Sequence, residues 1–219
     1  MSEDRAWNGL QSRLSECRTC HGGELELAEP GAFPLFPRSM PTSPDIFFIF
    51  EAPNRDDTFD PNKEYLTYDY DTDPSGRFFG ELFIEELREP IEAVAVTNSV
   101  LCLPLRKGDR HPVSTKMRRA CSENLRAQIE VLNPAIVAPM GGQAMAATRL
   151  IEDHGKKKLA DAVAAPIPWF GRQLFPLYHT GMLARNGPSG RKADEQRSDW
   201  RALRQLLDDL RARAPVRRC

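Results

Sequence analysis

The stretch "IFFIFEAPN", residues 46–54, joins five apolar residues to a carboxylate, a small residue, a proline and an amide. The apolar run is too short for a helix and has no polar alternation. It reads as a strand covered on both faces, as in a parallel sheet. Three further runs share its character: "AVAV" (93–96), "AIVAPM" (135–140) and "LFPLY" (174–178). Helical patterns lie between or around them, in "GELFIEELRE" (80–89), "SENLRAQIEVL" (122–132), "GGQAMAATRLIED" (141–153) and the long amphipathic "DEQRSDWRALRQLLDDLRARA" (194–214). Strands alternating with helices predict an α/β fold, a three-layer α/β/α sandwich with a central four-stranded, mostly parallel sheet. A length of 219 residues suits one sizeable core, so a single domain over residues 1–219 is expected.

The residues just past each strand are more informative than the strands themselves. Glu51-Ala52-Pro53-Asn54 comes after the first, Thr97-Asn98 after the second, Gly141-Gly142 after the third and His179-Thr180-Gly181 after the fourth. Open parallel sheets bind ligands outside the carboxyl ends of their strands. Each residue alone has an ordinary structural use: a solvated Glu, a turn Asn, a satisfied His. At equivalent topological positions, a carboxylate, an amide and an imidazole make a small-ligand site with hydrolytic potential.

Net charge is −1, with 41% apolar and 28% charged residues, the composition of an ordinary globular chain. The average hides segregation. Residues 106–119 carry Arg106, Lys107, Arg110, Lys116, Arg118 and Arg119 against Asp109 alone. Residues 56–73 are the reverse, with Asp56, Asp57, Asp60, Glu64, Asp69, Asp71 and Asp73 against Lys63. No apolar run approaches the length of a membrane span, and the first residues lack a signal-peptide core. The expectation is a cytoplasmic protein with no membrane partner, whose five cysteines are reduced and serve as ligands plus leftovers rather than disulfides. The pair Cys17 and Cys20, with two residues between them, suits a metal clamp or a redox couple. Segments 21–44, 60–76 and 214–219 carry the Pro, Gly and charge content of loops and tails.

"FEAPN", "SGRFFG", "VTNSVLCLP" and "YHTGMLARN" occur in the order found in the uracil-DNA glycosylase superfamily. From about Cys17 to Asn186 the chain resembles its iron–sulfur family 4 branch. The resemblance implies a DNA glycosylase that hydrolyses the N-glycosidic bond of uracil, or of a related deaminated base, in base excision repair. Glu51 would orient the attacking water, and His179 would face the O2 side of the departing base. Asn98 would read the base, Phe78 or Phe79 would stack on it, and Ala52 and Pro53 would line its loop. Arg106, Lys107, Arg118, Arg119, Arg185 and Asn186 would contact the DNA backbone. Cys17, Cys20, Cys102 and Cys121 would hold one [4Fe–4S] cluster. Zinc is the alternative, since four-cysteine tetrahedral sites are common, although these usually use two close pairs. Cys219 is left over, and His21 is read as incidental. DNA is the implied partner, and a monomer is expected.

The chain departs from the family pattern at three points. Phe50 and Asn54 replace the outer glycines of Gly-Glu-Ala-Pro-Gly, and Thr180 replaces the proline of His-Pro. About a dozen extra residues, acidic and bearing Tyr65, Tyr68 and Tyr70, lie between the Glu51 loop and "SGRFFG". These leave two rivals to the glycosylase: a catalytically inactive iron–sulfur nucleic-acid-binding protein of the same fold, and a zinc-bound hydrolase of small nucleosides.

Overall fold

The structure is a computed structural model and describes residues 3–21, 25–37, 44–53, 73–90 and 93–213. Asn54, the acidic insertion up to residue 72, and Cys219 lie outside the described residues. The elements run α1 (Glu3–Ser15), β1 (Ile46–Phe50), α2 (Pro74–Leu82), a π-helical turn (Phe83–Leu87), β2 (Val94–Asn98), α3 (Thr115–Leu132), β3 (Ile136–Pro139) and α4 (Gly142–Thr148). A 3₁₀ turn (Leu159–Asp161), β4 (Ile167–Trp169), β5 (Arg172–Leu174), α5 (Met182–Asn186) and α6 (Ala193–Arg213) complete the order.

Among the described residues the sheet has five strands rather than four, ordered β2-β1-β3-β5-β4. β1 lies parallel between β2 and β3, with Ile46 beside Val94 on one side and Ile136 on the other. β5 runs parallel to β3, and β4 returns antiparallel to β5. β4 escaped the sequence reading because it is three residues long with Pro168 at its centre, tolerable only at a sheet edge. It turns into β5 through Phe170 and Gly171, both at positive φ, the backbone a tight hairpin requires. The expected strand at 174–178 ends as a regular strand at Leu174, because Pro176 has no N–H to give. The chain still runs along β3: Phe175 N–H donates to Val137 O, and Leu177 N–H donates to Pro139 O.

Phe47 and Phe48 are both fully buried and point to opposite faces of the sheet. Phe48 joins Ile46, Val96 and Ala138 under α2, the π turn and α6, where Phe79, Leu82, Trp200 and Leu203 meet it. Phe47 joins Ile49 and Val137 under α3 and α4, against Leu125, Ile129 and Ala144. These are the three expected layers. Burying each such side chain contributes about 1.5–3 kcal/mol, so the "IFFIF" run anchors both cores at once. α1 packs on α3 through Leu10 and Leu14.

Helix boundaries matter for the site. Ser114 caps α3 by accepting the Met117 N–H at 3.1 Å, so residues 115–119 of the basic stretch are helical rather than loop. Asp73 caps α2, accepting the Ser75 N–H at 2.9 Å, and Pro74 occupies the first turn. The helix expected at 80–89 is thus the end of an earlier one, continued as the π turn.

Candidate active site

The carboxyl ends of β1 and β2 are laced together. Ser99 N–H donates to Phe50 O at 2.7 Å, Ser99 Oγ donates to Glu51 O at 2.6 Å, and Val100 N–H donates to the same oxygen at 3.2 Å. The Glu51 backbone is therefore fixed while its half-buried carboxylate stays available. Asn98 pairs with Phe50 in register at the strand ends and is 2% exposed. Its Nδ2 is buried with no hydrogen-bond partner among the described residues. An unpaired buried amide normally costs about 1–3 kcal/mol, and this one is available to a ligand. Beyond β5, Gly141 N–H donates to Leu177 O at 2.7 Å and brings the loop after β3 against His179. A Cβ on Gly141 (φ +97) would lie 3.5 Å from that of His179.

Burial raises the pKa of Glu51, and the Arg118 guanidinium partly opposes the shift. Arg118 is held by donating to Gln143 Oε1, to Thr115 Oγ1 at 2.9 Å and to Val113 O at 3.4 Å. It stands over the site at the first turns of α3, not out on a free loop. Burial lowers the pKa of His179, with Asp73 pulling the other way, so the imidazole is neutral at pH 7. Its Nδ1 accepts the Gly181 N–H at 2.9 Å, which leaves the ring proton on Nε2. The ring thus carries a donor of fixed direction at Nε2. A Cβ at position 181 would sit 2.9 Å from His179 Nδ1 and 3.2 Å from Ser75 Oγ, although φ −66 and ψ 156 suit any residue. Gly181→Ala is therefore expected to fold normally and to displace the ring. Single-turnover activity should fall about tenfold to a hundredfold, with an unchanged melting temperature.

The two expected stacking rings differ. Phe78 lies under the Arg185 guanidinium, 4.3 Å from ring centroid to Cζ. Phe79 meets Phe48 and Trp200 edge-on, and both Phe79 and Phe50 belong to the same aromatic group that ends at His179. Ala52 is half-buried and Pro53 buried on the Glu51 loop. Arg106, Lys107, Arg119 and Asn186 are exposed, and Arg106 also folds back on Gly108 O and Asp109. The sequence reading overlooked Met182 and Leu183, which are 56% and 86% exposed on α5 beside Arg185. Their signal was present: two apolar residues directly after the His loop, with no strand or long helix to bury them. A separate open groove of about 550 Å³, lined by Glu152, Trp169, Phe170 and Arg172, holds none of these strand-end residues.

Three of the four expected ligands share one buried cluster, with the fourth outside it. Cys20, Cys102 and Cys121 are buried in one apolar cluster with Ala28, Val100, Val113 and Met117, and Cys17 lies half-exposed. Burial, reinforced by Cys121 and Cys17, pushes the Cys102 thiol up to about 12. A hydrogen bond with Cys20 and burial push Cys121 up as well. All-thiol donors buried side by side fit a group that brings its own positive charge and releases their protons on binding. Among the described residues, no three His, Cys, Asp or Glu side chains close around a single ion. His21 is not incidental: its Nε2 lies 3.4 Å from Cys102 Sγ, and Asn124 Nδ2 donates to Cys17 Sγ at 3.7 Å.

No helix among the described residues is long and apolar enough to cross a membrane. Comparison with known proteins agrees with this geometry. A type-4 uracil-DNA glycosylase of Thermotoga maritima is 33% identical over 122 residues, covering 52% of this chain and 60% of that protein. A model of the uracil DNA glycosylase superfamily matches residues 37–204, which include Glu51, Asn98 and His179. With that match spanning most of its length, the chain belongs to the uracil DNA glycosylase superfamily.

Proposed function

We propose that this protein is a monofunctional DNA glycosylase that releases uracil, or a related deaminated base, from DNA as the first step of base excision repair. The observation that carries the reading is Asn98, whose buried Nδ2 has no partner among the described residues at the end of β2, next to the strand that leads into Glu51. A base flipped out of the stack offers its Watson–Crick edge to such an amide. Uracil presents an acceptor at O4 and a donor at N3, matching Nδ2 and Oδ1; cytosine presents the reverse.

The remaining residues then take tasks their surroundings allow. Ionised Glu51 orients a water and favours the cationic sugar that forms as the bond breaks. His179 Nε2–H points at the O2 side, where negative charge develops on the leaving base. Phe79 supplies the ring against which the base lies, and Ala52 and Pro53 shape the loop beside it. Arg185 and Asn186 hold backbone phosphates, as do Arg106, Lys107 and Arg119 along the basic stretch. Leu183 fills the gap left in the stack. Cys17, Cys20, Cys102 and Cys121 would hold a [4Fe–4S] cluster, which when bound supplies a structural cross-link between the N-terminal segment and α3. The test is an oligonucleotide carrying uracil, another deaminated base or, as control, cytosine at one position, assayed for alkali-labile sites. Asn98→Asp keeps the acceptor and loses the N–H₂ that meets O4. It should cut uracil release by about ten- to two-hundredfold and erode the preference over cytosine. Unchanged rate and preference would remove Asn98 as the reader.

A further inference from the structure

This inference rests on the glycosylase reading of the same site. Phe50 stands where the family pattern has glycine, and the structure shows where its ring goes. Phe50 and Asn98 are in-register neighbours at the ends of parallel β1 and β2, so their side chains share one face of the sheet. That face is the one covered by α2 and α6, against whose core Phe50 is partly buried. The ring centroid lies 5.4 Å from Phe79, inclined at 63°, and 5.6 Å from His179, at 85°. The stacking ring, the reading amide and the polarising imidazole therefore all border a single side chain.

We infer that the Phe50 ring stands in the base-binding space and is a specificity-determining residue that limits the admitted base to a pyrimidine. A flipped base needs an aromatic face to lie against and an amide within hydrogen-bond reach. Phe50 sets its edge toward that face. Glycine would leave the volume empty; a phenyl group takes most of the room a second ring would need. The neighbours cannot yield, because Phe48 is 0% and Phe79 2% exposed in a packed core. Phe50 itself is half-buried at the open end of its strand, so its side chain can turn outward without unpacking the layer beneath. A single-ring base then shares the space with the turned phenyl, and a purine does not fit.

The test compares wild type with Phe50→Ala and Phe50→Leu in single-turnover release of uracil and of hypoxanthine from DNA. Phe50→Ala should raise uracil release and raise hypoxanthine release more, lowering the uracil-to-hypoxanthine rate ratio at least about tenfold. Phe50→Leu, which keeps apolar packing, should fall between. A ratio unchanged in both variants overturns the inference. The second measurement needs no bond cleavage: affinity for DNA carrying 2′-fluoro-2′-deoxyuridine should tighten in Phe50→Ala. If no protein releases any base yet this affinity tightens, the glycosylase reading falls and the role of Phe50 stands. If base is released but neither ratio nor affinity moves, the glycosylase reading stands and the role of Phe50 falls.

Discussion

Glu51→Ala and His179→Ala are each expected to slow single-turnover release of the base by about 10²–10³-fold, the usual loss for one preorganised base or donor. In the proposed reaction the two act on opposite sides of the bond. Glu51 comes directly after β1 with its backbone oxygen held by Ser99 and Val100, so only its carboxylate is free to work. His179 lies beyond β5 with its tautomer set by Gly181. Their pH dependences should separate them. Burial raises the pKa of Glu51, so the acid limb of the rate should lie above the ordinary carboxylate range. Arg118 opposes that shift, so Arg118→Ala should move the limb further up. Burial shifts His179 down, so its ring is neutral on the plateau above that limb. His179→Ala should therefore lower the plateau. Both alanine variants should bind abasic DNA nearly as wild type does, because the cations proposed to hold phosphates are other residues.

Loss of a buried ligand should have the largest effect on stability. Cys102→Ser and Cys121→Ser are expected to abolish the broad absorbance near ~400 nm of a thiolate-ligated iron–sulfur cluster in protein purified without oxygen. They should also lower the melting temperature. The reason is geometric. Cys102 lies just past β2 and Cys121 lies on α3, while Cys20 reaches them from the N-terminal segment, so a group held by all three would tie three parts of the chain at one point. Without it, buried thiols remain with no charge to offset. Cys17, half-exposed on the outer side, should tolerate substitution better. A colourless wild type with stoichiometric zinc would assign the site to the alternative metal.

β1, β2 and β3 were legible because runs such as "IFFIF" and "VAVTN" must be buried on both faces, and no other element buries five residues that way. The candidate site residues were picked out by their places at or beyond the carboxyl ends of parallel strands, where Asn98 closes β2 and Glu51 follows β1. β4 was not, because a three-residue edge strand with a proline has no hydrophobic period to detect. The position of Arg118 was also hidden. Whether residues 115–119 form a loop or a helix turns on one cap, Ser114, and a helix aims the guanidinium at Gln143 and Glu51 instead of outward. The sequence shows that Phe50 replaces glycine; only the strand register shows that its ring meets Phe79 and His179. His21 likewise gains meaning from tertiary packing, since Cys102 is 81 residues away along the chain.

The most direct measurement identifies the product. A uracil-containing oligonucleotide is incubated with excess cluster-loaded wild-type protein, and the small-molecule and strand products are weighed by mass spectrometry. The account predicts free uracil and an intact strand that has lost one base and breaks only on alkali treatment. An unchanged strand, or a strand cut without base release, would contradict it.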